Sequence, residues 1–363
     1  MGGSSVSFRT SIFGLVLFAA SSLGAQEPAD STPVVPAPLF LSHEVLEITI
    51  EGPLYRVFRE REEEAQSFEA VLRHHAPDSA DQRFDIELRT RGSFRLQRDN
   101  CEFPPVRVNF QRPQVEGTVF AGQNKIKLVT HCQDDRDEYE QYMLQEYLIY
   151  RAYGLLTDVS FRVRLARITY VDTDGRRDPI TRYAFFLESK KAMAARNGWE
   201  VLEVPQVLIE QMQQEPLVLL EVFQFMVANT DYDPFSPEPG DNCCHNSVPI
   251  GSYLDFVVLP VAYDFDWAGL ISAPYARPRS RLRIESVRDR LFRGVCRPRE
   301  ELETVFRLFF EKREEIYELT RSLPGLDSAR VQDTIQYLDE FYEIISDPER
   351  VEEEMTSNCR ERL

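Results

Sequence analysis

Phe84-Asp85-Ile86-Glu87-Leu88-Arg89 alternates apolar and charged residues without a break. A period of two puts Phe84, Ile86 and Leu88 on one face of a strand and the charges on the other. The same alternation returns in Val106-Arg107-Val108-Asn109-Phe110 and in Lys125-Ile126-Lys127-Leu128-Val129. Arg91-Gly92-Ser93, Pro104-Pro105 and Gly122-Gln123-Asn124 separate the runs with turn-forming residues, as an antiparallel sheet requires. Working outward, Leu46-Glu47-Ile48-Thr49-Ile50 reads as an earlier strand. Residues 162–171 and 180–188 read as two later ones, joined by a turn at Asp174-Gly175. Residues 138–153 read as a helix ended by Gly154, and residues 55–74, with their Arg-Glu run, also as a helix.

From Pro205 the periodicity becomes helical. Pro216 suits the first turn of a helix through Val222, Phe223, Phe225 and Met226. Residues 252–262 read as a strand pair or one bent strand, and 299–323 and 328–346 as amphipathic helices. The expected class is α+β, with a strand-rich N-terminal lobe over 45–204, a mainly helical C-terminal lobe over 205–346 and a charged tail over 347–363.

The chain has 363 residues, 43% of them hydrophobic and 11% aromatic, enough for a packed core. Its formal charge of −18 disfavours nucleic acid and anionic membrane as partners. Residues 1–25 read as an export signal. Arg9 precedes an apolar run through Ile12, Leu15 and Phe18, and Leu23-Gly24-Ala25 offers cleavage near Ala25. Residues 26–44, rich in proline, read as a flexible spacer. No later stretch is apolar enough for stable membrane insertion, so a periplasmic or extracellular protein is expected. Six cysteines in an exported chain favour disulfides. Cys101 and Cys132 flank neighbouring strands and are expected to pair. Cys243 or Cys244 with Cys296 is the second expected pairing. A zinc reading of Cys243-Cys244-His245 lacks a second ligand pair.

The chemistry concentrates in three later segments: Asn229-Thr230-Asp231, His245-Asn246 and Tyr263-Asp264-Phe265-Asp266. An Asp, an Asn and a second Asp in that order are what phosphoryl transfer requires. One group orients the attacking hydroxyl, and two oxygen ligands hold a divalent ion on the triphosphate. Glu146 lies in an apolar helix among Met143, Tyr147 and Ile149, where a carboxylate needs a partner. Lys127, on a strand just upstream, is the available cation, with Lys125 as the alternative on the same face. His245 reads as a structural histidine. Arg277, Arg279, Arg281 and Arg283 read either as a substrate border or as exposed counter-charge.

Five segments in this order resemble the CotH-like spore-coat kinases. They are Arg89-Thr90-Arg91-Gly92-Ser93, Tyr183–Glu188, Asn229–Asp231, His245-Asn246 and Tyr263–Gly269, the last with Tyr263 where that family commonly has Trp. The resemblance implies a two-lobed protein-kinase-like fold. It implies transfer of the ATP γ-phosphoryl group to a protein or small-molecule hydroxyl acceptor with Mg²⁺ or Mn²⁺. In that scheme Asp231, Lys127 and Glu146 are catalytic, and Arg91, Gly92 and Lys127 hold the nucleotide. Asn246, Asp264 and Asp266 hold the metal. The alternatives are an inactive relative on the same fold or an envelope binding protein.

Overall fold

In the computed structural model, which describes residues 1–3, 36–62, 65–76, 80–238, 241–252, 254 and 257–361, the alternating strands close on themselves. The expected export signal and cleavage site, and most of the spacer, lie outside the described residues. In chain order the elements are β1 (Leu46–Gly52), the single turn α1 (Leu54–Val57), β2 (Phe68–His74), β3 (Gln82–Thr90), β4 (Val106–Phe110), α2 (Arg112–Val115), β5 (Lys125–Val129) and α3 (Glu138–Leu156). There follow β6 (Val163–Asp172), β7 (Ile180–Leu187), α4 (Lys190–Arg196), β8 (Glu200–Val201), α5 (Gln214–Met226), β9 (Ser247–Ser252) and β10 (Val257–Ala262). The chain ends in α6 (Arg299–Arg321), α7 (Ser328–Ser346) and α8 (Pro348–Glu354).

The first seven strands run β1-β2-β3-β4-β5-β7-β6 around a closed barrel. All neighbours are antiparallel except β1 and β6, which pair in parallel from Leu46↔Ala166 to Gly52↔Asp172. That pairing satisfies the two edges an open sheet would expose. The inward row of each strand is apolar. Ile48, Leu72, Phe84, Ile86, Val108, Ile126 and Phe186 fill the interior, as expected of a barrel this narrow.

This geometry overturns the two-lobed protein-kinase-like fold expected from the sequence. The strands of the supposed N-terminal lobe form a closed seven-strand barrel, and the helices lie mostly in the C-terminal region. Pro33–Leu363 is one compact unit. The deciding contact, β1 against β6, joins segments more than a hundred residues apart and leaves no local signature.

A second core lies outside the barrel. α3 packs against β6, β7 and α6, and α5 against β10 and α6. Tyr147, Leu148, Phe223, Phe265, Leu302 and Phe341 are buried between them. α3 is buried on most of its circumference, Gln141, Gln145 and Glu146 included. It runs through Gly154 to Leu156 rather than ending there. Residues 55–74 are not a helix: after one turn in α1 the chain enters β2, whose side chains alternate between barrel and exterior. The segment expected as a charged tail contains α8. Beyond it the Arg360 N–H donates to the Gly294 carbonyl at 2.7 Å.

Three disulfides join Cys101–Cys132, Cys243–Cys244 and Cys296–Cys359. The first matches expectation. The second expectation is corrected, because Cys243 and Cys244 bond to each other and Cys296 is reached by the returning C-terminal segment. No helix among the described residues is long and apolar enough to cross a membrane. Both observations are consistent with export.

Candidate functional site

The β9–β10 hairpin aligns the acidic series. Its last paired residues are Ser247 and Ala262, so Asn246 and Tyr263 come next, and the Tyr263 N–H donates to the Asn246 carbonyl at 3.2 Å. The inserted loop before Asn246 therefore does not separate it from the Asp264 segment. Asn246 (φ +47°) and Asp264 (φ +59°) both adopt the left-handed region, which Asn and Asp tolerate better than most residues. The Asp264 N–H donates to the buried Tyr150 hydroxyl of α3 at 2.9 Å. Further on, the Gly269 N–H donates to the Ala228 carbonyl at 3.0 Å. A Cβ on Gly269 would lie 2.8 Å from the Ala228 Cβ and 2.1 Å from the Val287 carbonyl oxygen, so a glycine is needed for these segments to meet.

Asp231 follows the end of α5 and is held from three sides. Arg279 Nε donates to Oδ1 at 2.6 Å, and His245 Nε2 lies 3.1 Å from the same oxygen. Asn246 Nδ2 donates to Oδ2 at 3.0 Å and to the Asp231 backbone carbonyl at 2.7 Å. Burial pushes this carboxyl up, but the hydrogen bonds and charges of His245 and Arg279 outweigh it and hold the group below its ordinary value.

Asp231, Asn246, Asp264 and Asp266 line one cavity of about 240 Å³. The turn after β3 adds Arg91, Gly92 and Arg95 to the same lining. Gly92 sits at φ +102°, a conformation that favours glycine. The cavity thus collects Asp231, Glu146, Asn246, Asp264, Asp266, Arg91 and Gly92 from the sequence-derived set.

Lys127 stands apart from that lining. Its ammonium donates to the Tyr263 hydroxyl at 2.5 Å and lies 4.6 Å from the ring centre. Burial and the nearby Arg91 push it down to about 7, against the pull of Asp264. Lys125, on the same strand face, is exposed. The partner of Glu146 is Arg95, at 2.7 Å, instead of the expected Lys127. Arg95 also binds Asp266, with Nε 2.9 Å from Oδ2. Two buried carboxyl groups share one guanidinium. Burial raises both, and Arg95 offsets this only in part.

Sequence reasoning missed Arg95 and Tyr150, and named Arg279 only as one of its arginine series, without Asp231 as its partner. The signal for Arg95 was a buried Glu146 in need of a cation together with the adjacent Arg91-Gly92 turn. Of the arginine series, Arg279 reaches Asp231, while Arg277 bonds the Pro274 and Ala276 carbonyls. Arg281 and Arg283 are exposed.

The donor set suits one kind of ion. Asn246 Nδ2 faces Asp231, so Oδ1 is the amide atom left for a cation. No hydrogen bond from a side chain reaches the Asp264 carboxylate among the described residues. Asp266 is engaged by Arg95. The described residues contain no group of three or more His, Cys, Asp or Glu arranged for a metal. One carboxylate and one amide oxygen fit a hard ion that brings phosphate oxygens with it, as magnesium does, and do not make a self-sufficient cage.

No model of a known protein family matches the chain, and a comparison with curated proteins returns no match. The functional argument therefore rests on the site itself.

Proposed function

We propose that this protein transfers the terminal phosphoryl group of ATP to a hydroxyl acceptor, with Mg²⁺ or Mn²⁺, outside the cytoplasm. The observation that carries the reading is the shared cavity, lined by Asp231, Asn246 and Asp264 together with Arg91 and Gly92. Asp264 and the Asn246 amide oxygen would hold the ion, which when bound neutralises charge on the phosphates. Arg91 and the backbone around Gly92 receive phosphate oxygens. Asp231 orients the acceptor hydroxyl. Glu146 and Asp266 fix Arg95 in the wall. The resemblance of these segments to the CotH-like motifs supports the same assignment, on a different fold. A cavity of about 240 Å³ accommodates phosphates and an ion, while pockets for whole small molecules run to roughly 300–1,000 Å³. The base and ribose of the nucleotide therefore project beyond it.

A second reading, phosphate binding without turnover, is favoured by one observation. The Asp231 carboxylate already receives Arg279, His245 and Asn246. The test is release of ADP from ATP and magnesium in the presence of hydroxyl acceptors. Transfer is expected for the wild type and lost in Asp231→Asn and Asp264→Ala. ATP binding without ADP release in the wild type supports the second reading.

A further inference from the structure

A second cavity, of about 450 Å³, adjoins the first. The two share a wall of His245, Asn246 and Tyr263. Their linings differ in kind. The first is dominated by carboxylates and guanidiniums. The second sets Lys190 and Asn242 as donors beside Glu203, Glu238 and Asp241 as acceptors, with Leu202 and the Cys243–Cys244 disulfide as apolar surface.

A hydroxyl both donates and accepts, so a wall that mixes donors and acceptors fits a molecule bearing several hydroxyls. The apolar surface fits the C–H face of a ring. An acidic ligand would meet the carboxylates of Glu203, Glu238 and Asp241; a basic peptide would meet the Lys190 ammonium, and Glu238 is already held by Arg279 at 2.7 Å. Lys127 donates to the Tyr263 oxygen, so the Tyr263 proton turns elsewhere and is a donor within the shared wall. We propose that this cleft is the acceptor subsite and that the acceptor is a neutral saccharide.

The role as acceptor rests on the phosphoryl-transfer reading. A sugar hydroxyl held here would attack past Asn246 and Tyr263. Its oxygen forms a bond to the γ-phosphorus, and the bond from that phosphorus to the β–γ bridging oxygen breaks. ADP leaves with the electron pair, and the hydroxyl proton passes to the Asp231 carboxylate and then to water.

The test is calorimetric titration of the full chain with the methyl glycosides of glucose, galactose, mannose, xylose and N-acetylglucosamine. A serine peptide rich in arginine serves as comparator. The titration is repeated on Asn242→Trp, which fills the cleft from an exposed position, on Asp241→Asn and on Asp264→Ala. At least one glycoside is expected to bind the wild type and Asp264→Ala. Asn242→Trp is expected to weaken it by about tenfold, equivalent to ~1.4 kcal/mol. Absence of glycoside binding, binding unmoved by Asn242→Trp, or peptide binding that Asn242→Trp abolishes would each overturn the proposal. Stabilisation by ATP and magnesium is read on the same samples. Glycoside binding without it keeps the saccharide cleft and removes phosphoryl transfer; the reverse result removes the saccharide and keeps the nucleotide.

Discussion

The Asn246 side-chain amide donates to Asp231 Oδ2 across 3.0 Å and to the Asp231 carbonyl across 2.7 Å, joining positions 15 residues apart. One amide thereby fixes Asp231 with its nitrogen, and its oxygen is not used in that contact. The hairpin register, which puts Tyr263 opposite Asn246, makes this possible.

Arg279 and His245 lower the affinity of Asp231 for protons. Arg279→Met removes one of these influences, so the Asp231 carboxyl titrates at higher pH. The acid limb of the kcat profile against pH is expected to move upward, and His245→Gln is expected to move it the same way. An unmoved acid limb in both variants would separate Asp231 from the reacting proton.

Arg95→Met leaves Glu146 and Asp266 buried without their shared cation. Breaking a buried ion pair from one side costs on the order of 3–5 kcal/mol, and urea unfolding should show a loss of that size. Adding Glu146→Gln and Asp266→Asn to the same variant removes the uncompensated charge and should recover part of the loss. A single variant as stable as the wild type would contradict the arrangement.

Lys127 supplies a pH dependence of known sign. Its folded pKa, about 7, lies below the ordinary lysine value of 10.5. Between these limits the unfolded chain binds the extra proton, so stability rises as pH rises through the window. The destabilisation is fully present below about 7 and gone above 10.5. Lys127→Met should flatten that rise in urea unfolding measured from neutral to alkaline pH. An equal slope in the two proteins would mean that Lys127 is solvated.

The strands were legible because their signal is local. Phe84–Leu88 and Ile126–Leu128 alternate with a period of two, and each lies in the strand expected, as β3 and β5. Barrel closure was not legible, since the β1–β6 pairing is set by tertiary contact rather than by either segment's pattern. Residues 68–74 were misread as helical because the Arg-Glu run before them has no strand period. In the site, Asp231, Asn246 and Asp264 could be found by residue type and order. Arg95 lies in a short helical turn and Arg279 in irregular chain, where no periodicity marks a side chain that points inward. The Cys243–Cys244 bond was hidden by the ordinary habit of seeking partners far apart in the chain.

The central claim is that Asp264 and Asn246 hold an ion which carries ATP phosphates into the cavity beside Arg91. The melting temperature of the full chain, with and without ATP and magnesium, tests it most directly, because a ligand of the folded state stabilises it by about 2.7 kcal/mol at a hundred times its Kd. The account predicts a rise for the wild type that needs ATP and magnesium together, and no rise for Asp264→Ala. An unchanged melting temperature in the wild type, or an equal rise in Asp264→Ala, would contradict it.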